Sequence, residues 1–403
     1  MIFPRVHLFH LECGVFVTVF PKQVLRPTYA EINLSALVSN FQLLSRLLPK
    51  NTEILAMVKA DAYGHGVLPV AKTLLQFGVA GFGVATIEEG IELRQAGIDC
   101  PVLVMGGLLG LGEHAAEAMI AAGLTPVIHS ADGVRLLNEA CARCGKKLKV
   151  HLKIDTGMGR LGVRPEALAL VLARLKQALH LQLEGVMTHF AEADNESRTA
   201  EQIAGFEKAM KSIKDFFPHI SVWHAANSQT IIRKQGVNLS ASEKWWARPG
   251  IALYGSSCGV PLPKEEKLEP VMSIKSQLAL IKRVPAGSKI SYGGTYVCKR
   301  ETRLAVVPVG YADGYPWRLS GKAFALVQET RVPVIGRVTM DMIMLDITDL
   351  PQSKIGDEVV LLGKQGAAFI GVDELSNWAG VIPYEVLSGV SKRIPRIYVS
   401  SAC

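Results

Sequence analysis

Residues 52–66 read TEILAMVKADAYGHG. A short apolar run ends in a lysine, and glycines follow at 64 and 66, which is how a strand buried on both faces gives onto a functional loop. The pattern recurs. Runs at 52–60, 81–85, 101–106, 125–129, 148–155, 183–190, 221–227 and 251–255 are short, apolar and rich in β-branched residues. Between them, stretches at 36–48, 67–77, 87–96, 131–144, 165–179 and 201–217 place apolar residues three and four apart, as amphipathic helices do. Eight such alternations in about 230 residues predict an α/β fold, a closed (β/α)8 barrel of the TIM type.

Past residue 262 the texture changes to successive short strands with turn signals, at 273–284, 289–296, 303–310, 331–337, 342–347 and 358–362, with one late helix near 372–378. The chain therefore divides into a barrel at 27–262 and a C-terminal, mostly-β domain at 263–403. The first 26 residues stand apart. Their apolar segment is interrupted by His7, His10 and Glu12 and lacks an A-x-A cleavage site, so it reads as an extension outside the fold. Three readings are open: a signal peptide, a disordered arm, or a start placed upstream of the true one.

Composition narrows the function. With 403 residues, 49% apolar and 20% charged, the chain matches a folded enzyme rather than a disordered or fibrous protein. No run of 18 apolar residues exists, so no transmembrane helix is expected. Seven cysteines scattered at 13, 100, 141, 144, 258, 298 and 403 are not a disulfide framework and favour a reducing compartment. The net charge of +8 comes from interspersed residues, with no basic block interleaved with aromatics for nucleic acid. Cys141 and Cys144 have zinc-like spacing but lie in a helical stretch with no second pair, so no metal is expected. The glycine-rich 106–112 lacks the lysine and hydroxyl of a phosphate loop.

A barrel enzyme works at the C-terminal ends of its strands, and chemically capable residues gather there. Lys59 at such a mouth is partly desolvated, which lowers its pKa and makes the neutral amine a nucleophile. A lone lysine there would ordinarily just snorkel to water, but Tyr63, Gly64 and Gly66 beside it allow close approach to a ligand. Lys153 lies mid-strand, where a cation needs a partner or a modification, and the loop after it presents Arg160 to an anion. His189 follows strand six; His224, Asn227 and Ser228 follow strand seven, where a serine opening a helix suits phosphate.

These segments resemble the signatures of alanine racemases, pyridoxal-phosphate enzymes built from a barrel and a β domain, over residues 26–398. Residues 56–66 are similar to the family's cofactor-lysine motif. The resemblance implies that Lys59 forms the Schiff base with pyridoxal phosphate, and that Tyr63, Ser228, Tyr384 and the amides of Gly250 and Ile251 hold its phosphate. His189 and Asn227 would complete the cofactor site. Arg248 would face the pyridine nitrogen with His224 behind it, although a strand at 251–255 puts Arg248 before a strand instead of at its end.

In the β domain, 291–296 resembles the segment whose tyrosine, here Tyr292, is a second base contributed by a partner subunit. Residues 309–315 supply Tyr311 at the substrate entrance, and 336–341 supply Met340, whose backbone would meet the substrate carboxylate, with Asp341 in support. Lys153 corresponds to a lysine that many members carry as a carbamate, which would hold Arg160. The implied enzyme is a cytoplasmic homodimer supplying D-alanine for peptidoglycan, with no metal, nucleic-acid or membrane partner. Two bases on opposite faces suit inversion, because a single base tends to return the proton to the face it left. A tyrosine base needs cationic or hydrogen-bonding neighbours, for which His189 and Arg160 are the candidates.

Three other activities are weighed. A pyridoxal-phosphate carrier needs no β domain, and a decarboxylase would offer an acid where Arg248 stands. A broad-specificity racemase differs chiefly in pocket size. Tyr311 and Tyr384 at the entrance favour a small side chain, though one methylene is worth only about 1–3 kcal/mol of discrimination.

Overall fold

The computed structural model describes residues 8–10, 15–18, 25–263 and 266–401. Eight parallel strands close into a barrel: Thr52–Met57, Gly81–Val84, Val102–Val104, Thr125–Ile128, Leu148–Lys153, Leu181–Met187, Val222–Asn227 and Trp245–Arg248. Closure comes from the last strand pairing with the first, Trp245 opposite Thr52. Both faces of these strands are covered, which is why they read as continuous apolar runs. The helices between them follow their sequence signals. Ala131–Arg143, for example, starts where the Ser130 hydroxyl accepts from the Gly133 amide at 3.1 Å, and buries Val134, Leu137, Ala140 and Cys141 along one stripe. Cys141 thus faces the core while Cys144 lies exposed.

The eighth strand is not where the sequence reading puts it. The run at 251–255 is a buried 3-10 helix, Ile251–Tyr254, and the strand is Trp245–Arg248. Both are short apolar runs, and periodicity alone cannot tell a buried strand from a buried helical turn. The correction brings Arg248 to the C-terminal end of strand eight, at the barrel mouth.

Among the described residues, the second half is built mainly from a nine-stranded sheet and a three-stranded sheet. The single strand expected at 273–284 is two, Met272–Gln277 and Leu280–Val284, because the backbone changes partners between them. The Leu278 amide donates to Asp357 O at 3.0 Å and the Ala279 amide to Val306 O at 2.9 Å. Tyr29–Asn33, assigned by sequence to the barrel half, pairs antiparallel with Met272–Gln277 and parallel with Arg396–Ser401, so it is a strand of the second sheet. Most of the N-terminal extension lies outside the described residues. Its described stretches, Leu8–His10 and Val15–Thr18, are paired strands, and the second also pairs with Arg396–Ser401. Among the described residues no helix is long and apolar enough to cross a membrane.

Candidate active site

A cavity of about 160 Å³ opens at the C-terminal ends of the barrel strands. Eleven of the residues singled out in the sequence line it: Lys59, Tyr63, Lys153, Arg160, His189, Asn227, Ser228, Arg248, Gly250, Ile251 and Tyr384.

Lys59 is delivered by an unusual turn. After the Val58 amide makes its barrel bond to Gly83 O at 3.0 Å, Ala60, Asp61, Ala62 and Tyr63 all take left-handed conformations, with φ of 53°, 53°, 53° and 54°. Each such residue costs about 1–2 kcal/mol in an L-amino-acid chain, so the surroundings must hold them. Glu89 does part of this, its carboxylate accepting from the Ala60 amide at 2.6 Å while it also caps its own helix at Thr86. Asp61 accepts from the Val67 amide at 2.7 Å. At Gly64 (φ +81°) and Gly66 (φ +92°) a side chain would collide with Leu387 O and the Tyr398 hydroxyl. Burial and then the nearby Arg160 lower the Lys59 pKa, with Glu89 opposing.

One end of the cavity is made of hydroxyls and amides. The Ser228 hydroxyl accepts from the amides of Gly250 at 2.9 Å and Ala252 at 3.3 Å. Tyr63 packs between Tyr254 and Tyr384, with ring centroids 4.9 and 5.9 Å away, and its hydroxyl lies against Gly250. Burial raises the pKa of Tyr63 and of Tyr384, so both hydroxyls remain donors.

Arg248 lies buried in the wall of the cavity. Its Nη2 donates to Thr188 O at 2.6 Å and Ala225 O at 3.1 Å, while Nη1 is buried with no partner. Burial pushes Arg248 down to about 9, which still leaves it charged at neutral pH. The buried His224 Nε2 lies 2.8 Å from His151 Nδ1, and His151 Nε2 lies 3.5 Å from Glu184. His224 is held well below its ordinary pKa by burial and then by Arg248, so it is neutral. Lys153 is only 5% exposed; burial, Arg248 and Arg160 push it down to about 8, against the pull of Asp155. His189 is held well below its ordinary value by burial, then Arg248 and Lys153.

The cavity therefore concentrates cationic side chains around a partly desolvated lysine, with an unpartnered guanidinium nitrogen in one wall and a hydroxyl and amide cradle in another. These features fit pyridoxal phosphate: an aldehyde for the lysine, a ring nitrogen for the guanidinium, and a phosphate for the cradle.

Tyr292, Tyr311 and Met340 do not line this cavity. They are 71%, 45% and 52% exposed, on loops of the β domain that are hydrogen-bonded to one another. There the Tyr311 amide donates to Thr339 O and the Ala312 amide to Met340 O, both at 3.0 Å, and the Ser291 hydroxyl donates to Arg337 O at 2.7 Å. Asp341 accepts from Arg393 at 2.7 Å.

Family models for the alanine racemase N-terminal and C-terminal domains match residues 32–258 and 271–398. An alanine racemase of Halothermothrix orenii is 41% identical across 94% of this chain and 98% of its own length. The chain belongs to the alanine racemase family. Among solved alanine racemases, that of Bacillus anthracis with bound L-Ala-P superposes with a TM-score of 0.84 at 36% identity, covering 93% of this chain and 95% of that one. The alanine racemase of Bartonella henselae with covalently bound pyridoxal phosphate superposes at 0.81 and 28% identity, covering 92% and 99%.

Several residues that shape the cavity and its lysine turn escaped the sequence reading. Tyr254, whose hydroxyl donates to Met57 O at 3.0 Å, sat inside the supposed eighth strand. His151 was passed over as a strand residue. Glu89 had a legible signal as the far end of a Thr86-x-x-Glu89 capping box, but nothing local to it announces the bond to Ala60.

Proposed function

We propose that this chain interconverts L- and D-alanine with pyridoxal phosphate held in the barrel cavity. The observation that carries the reading is the convergence, in one cavity, of Lys59, the unpartnered Arg248 nitrogen and the cradle of Tyr63, Ser228, Gly250, Ile251 and Tyr384. When bound, the cofactor supplies the electron sink that makes an amino-acid α-hydrogen removable. Lys59, whose pKa burial and Arg160 lower, would hold the cofactor and exchange a proton at Nζ on the D face. Asn227 and His189, which line the cavity, would help hold the cofactor, and His224 would support Arg248. Arg248, which keeps its own proton, would hold the ring nitrogen by donating to it and would not protonate it. Arg160 receives the substrate carboxylate, and a carbamate on Lys153 would turn a destabilising neighbour of Arg160 into a partner.

The second base is Tyr292, contributed at Oη by a second copy of the chain together with Tyr311, the Met340 backbone and, in support, Asp341. Support comes from the exposure of Tyr292, Tyr311 and Met340 and from their absence from their own chain's cavity. The enzyme is then a homodimer with shared sites, acting in the cytoplasm to supply D-alanine for peptidoglycan.

Chiral chromatography of L-alanine incubated with the protein and pyridoxal phosphate tests the reaction. D-alanine is expected from the parent and none from Lys59→Ala. A cofactor-loaded parent that leaves L-alanine unchanged while racemising larger amino acids would move the reading to a broad-specificity racemase.

A further inference from the structure

The strained turn that carries Lys59 and Tyr63 is gripped at its far end by the last strand of the chain. Arg396, at the start of Arg396–Ser401, donates from Nε and Nη2 to Gly64 O at 3.0 and 2.9 Å. The same guanidinium donates from Nη2 to Val390 O at 2.7 Å and from Nη1 to Ser391 O and Ile394 O at 2.7 and 2.8 Å. Every nitrogen of the fork is engaged, and all the acceptors are backbone carbonyls from two segments. Asp61, within the turn, favours the cation electrostatically. At Gly64 the two segments meet with no side chain between them, since a Cβ there would lie 2.2 Å from Leu387 O. Arg396 does not itself line the cavity.

We infer that Arg396 is a positioning residue for the cofactor site: by pinning Gly64 it keeps residues 60–63 left-handed and so aims Lys59 and Tyr63 into the cavity. The inference rests on the reading of that cavity as the pyridoxal-phosphate site. Without the pin, the turn is free to relax toward the right-handed region that L-residues prefer, which swings both side chains. Glu89 at the Ala60 amide and Arg396 at the Gly64 carbonyl then act as two ends of one clamp, one from the barrel and one from the chain's C-terminal strand.

The test is the dissociation constant of pyridoxal phosphate, followed by protein fluorescence, for the parent, Arg396→Met and Arg396→Lys, each with and without Ala60→Gly, beside thermal unfolding of every variant. Arg396→Met is expected to weaken cofactor binding about tenfold, with Arg396→Lys intermediate. Ala60→Gly should recover about fivefold in the Arg396→Met background and most of the smaller loss in Arg396→Lys, because glycine enters the left-handed region without the Cβ clash and needs less holding. A residue that only staples the domains would lower the unfolding temperature without this recovery. A folded Arg396→Met protein that binds like the parent overturns the inference, as does weakened binding that Ala60→Gly leaves unchanged. If Arg396→Met does not fold, Arg396→Lys decides by the same criteria. A parent that does not bind pyridoxal phosphate overturns the function proposed above along with this inference.

Discussion

Gly250 stands where no side chain fits. A Cβ there would lie 2.3 Å from the Tyr63 hydroxyl and 2.9 Å from its ring carbon, and Tyr63 is wedged between Tyr254 and Tyr384. Gly250→Ala should therefore displace the Tyr63 hydroxyl and weaken pyridoxal-phosphate binding by about tenfold, or ~1.4 kcal/mol. An unchanged dissociation constant would mean that Tyr63 moves aside freely. Lys153 makes a prediction about pH. Only a neutral amine attacks carbon dioxide, and with a pKa pushed down to about 8 the neutral fraction rises as pH rises through that value. A carbamate carbon signal from 13C-bicarbonate should accordingly grow between about pH 7 and pH 9 and be missing from Lys153→Ala. Its absence in the parent at the higher pH would leave Lys153 an unmodified amine and Arg160 without the proposed partner.

At the scale of elements, the barrel strands and their loops bury histidines in neutral form. His65 and His129 are both pushed down to about 4 by burial, from an ordinary value of 6.5. Their folded pKa lies below the unfolded one, so the unfolded chain binds more protons as pH falls. The stability they allow is complete above 6.5 and is lost on the way down to 4, at roughly 1.4 kcal/mol per pH unit for each. Urea midpoints of the cofactor-free protein should fall clearly between pH 7 and about pH 5, and equal midpoints would show that water reaches these rings. Strand ends were the legible part of the sequence: Lys59, Lys153, His189, Asn227 and Ser228 each follow or close an apolar run that is a barrel strand. Arg248 was legible as a residue and misplaced as geometry, because the Trp245–Arg248 and Ile251–Tyr254 runs look alike until one of them pairs with Thr52–Met57. Arg396 left no local trace, since the Gly64 carbonyl it serves lies 332 positions away and only the finished fold brings them together.

At the scale of the whole molecule, one chain holds two incomplete halves of the proposed machinery. The barrel cavity has Lys59 but not Tyr292, and the β domain carries Tyr292, Tyr311 and Met340 exposed and outside that cavity. Trp317, 52% exposed, and Met342, 48% exposed, lie close by: the Arg337 guanidinium is 5.8 Å from the Trp317 ring, and the Thr339 amide donates to Met342 O at 3.0 Å. An aromatic and apolar surface with arginine is the composition that protein interfaces favour. If two copies exchange these faces, Lys59→Ala and Tyr292→Phe damage different subunits' contributions to each site. Mixing the two inactive variants under conditions that let subunits exchange then creates heterodimers in which one site pairs an intact Lys59 with an intact Tyr292 and the other pairs both lesions. With equal amounts, half the dimers are mixed and half their sites are whole, so activity should return to about a quarter of the parental value. Sites contained within one chain would give no recovery at any mixing ratio, because every lysine would remain with the tyrosine of its own damaged subunit.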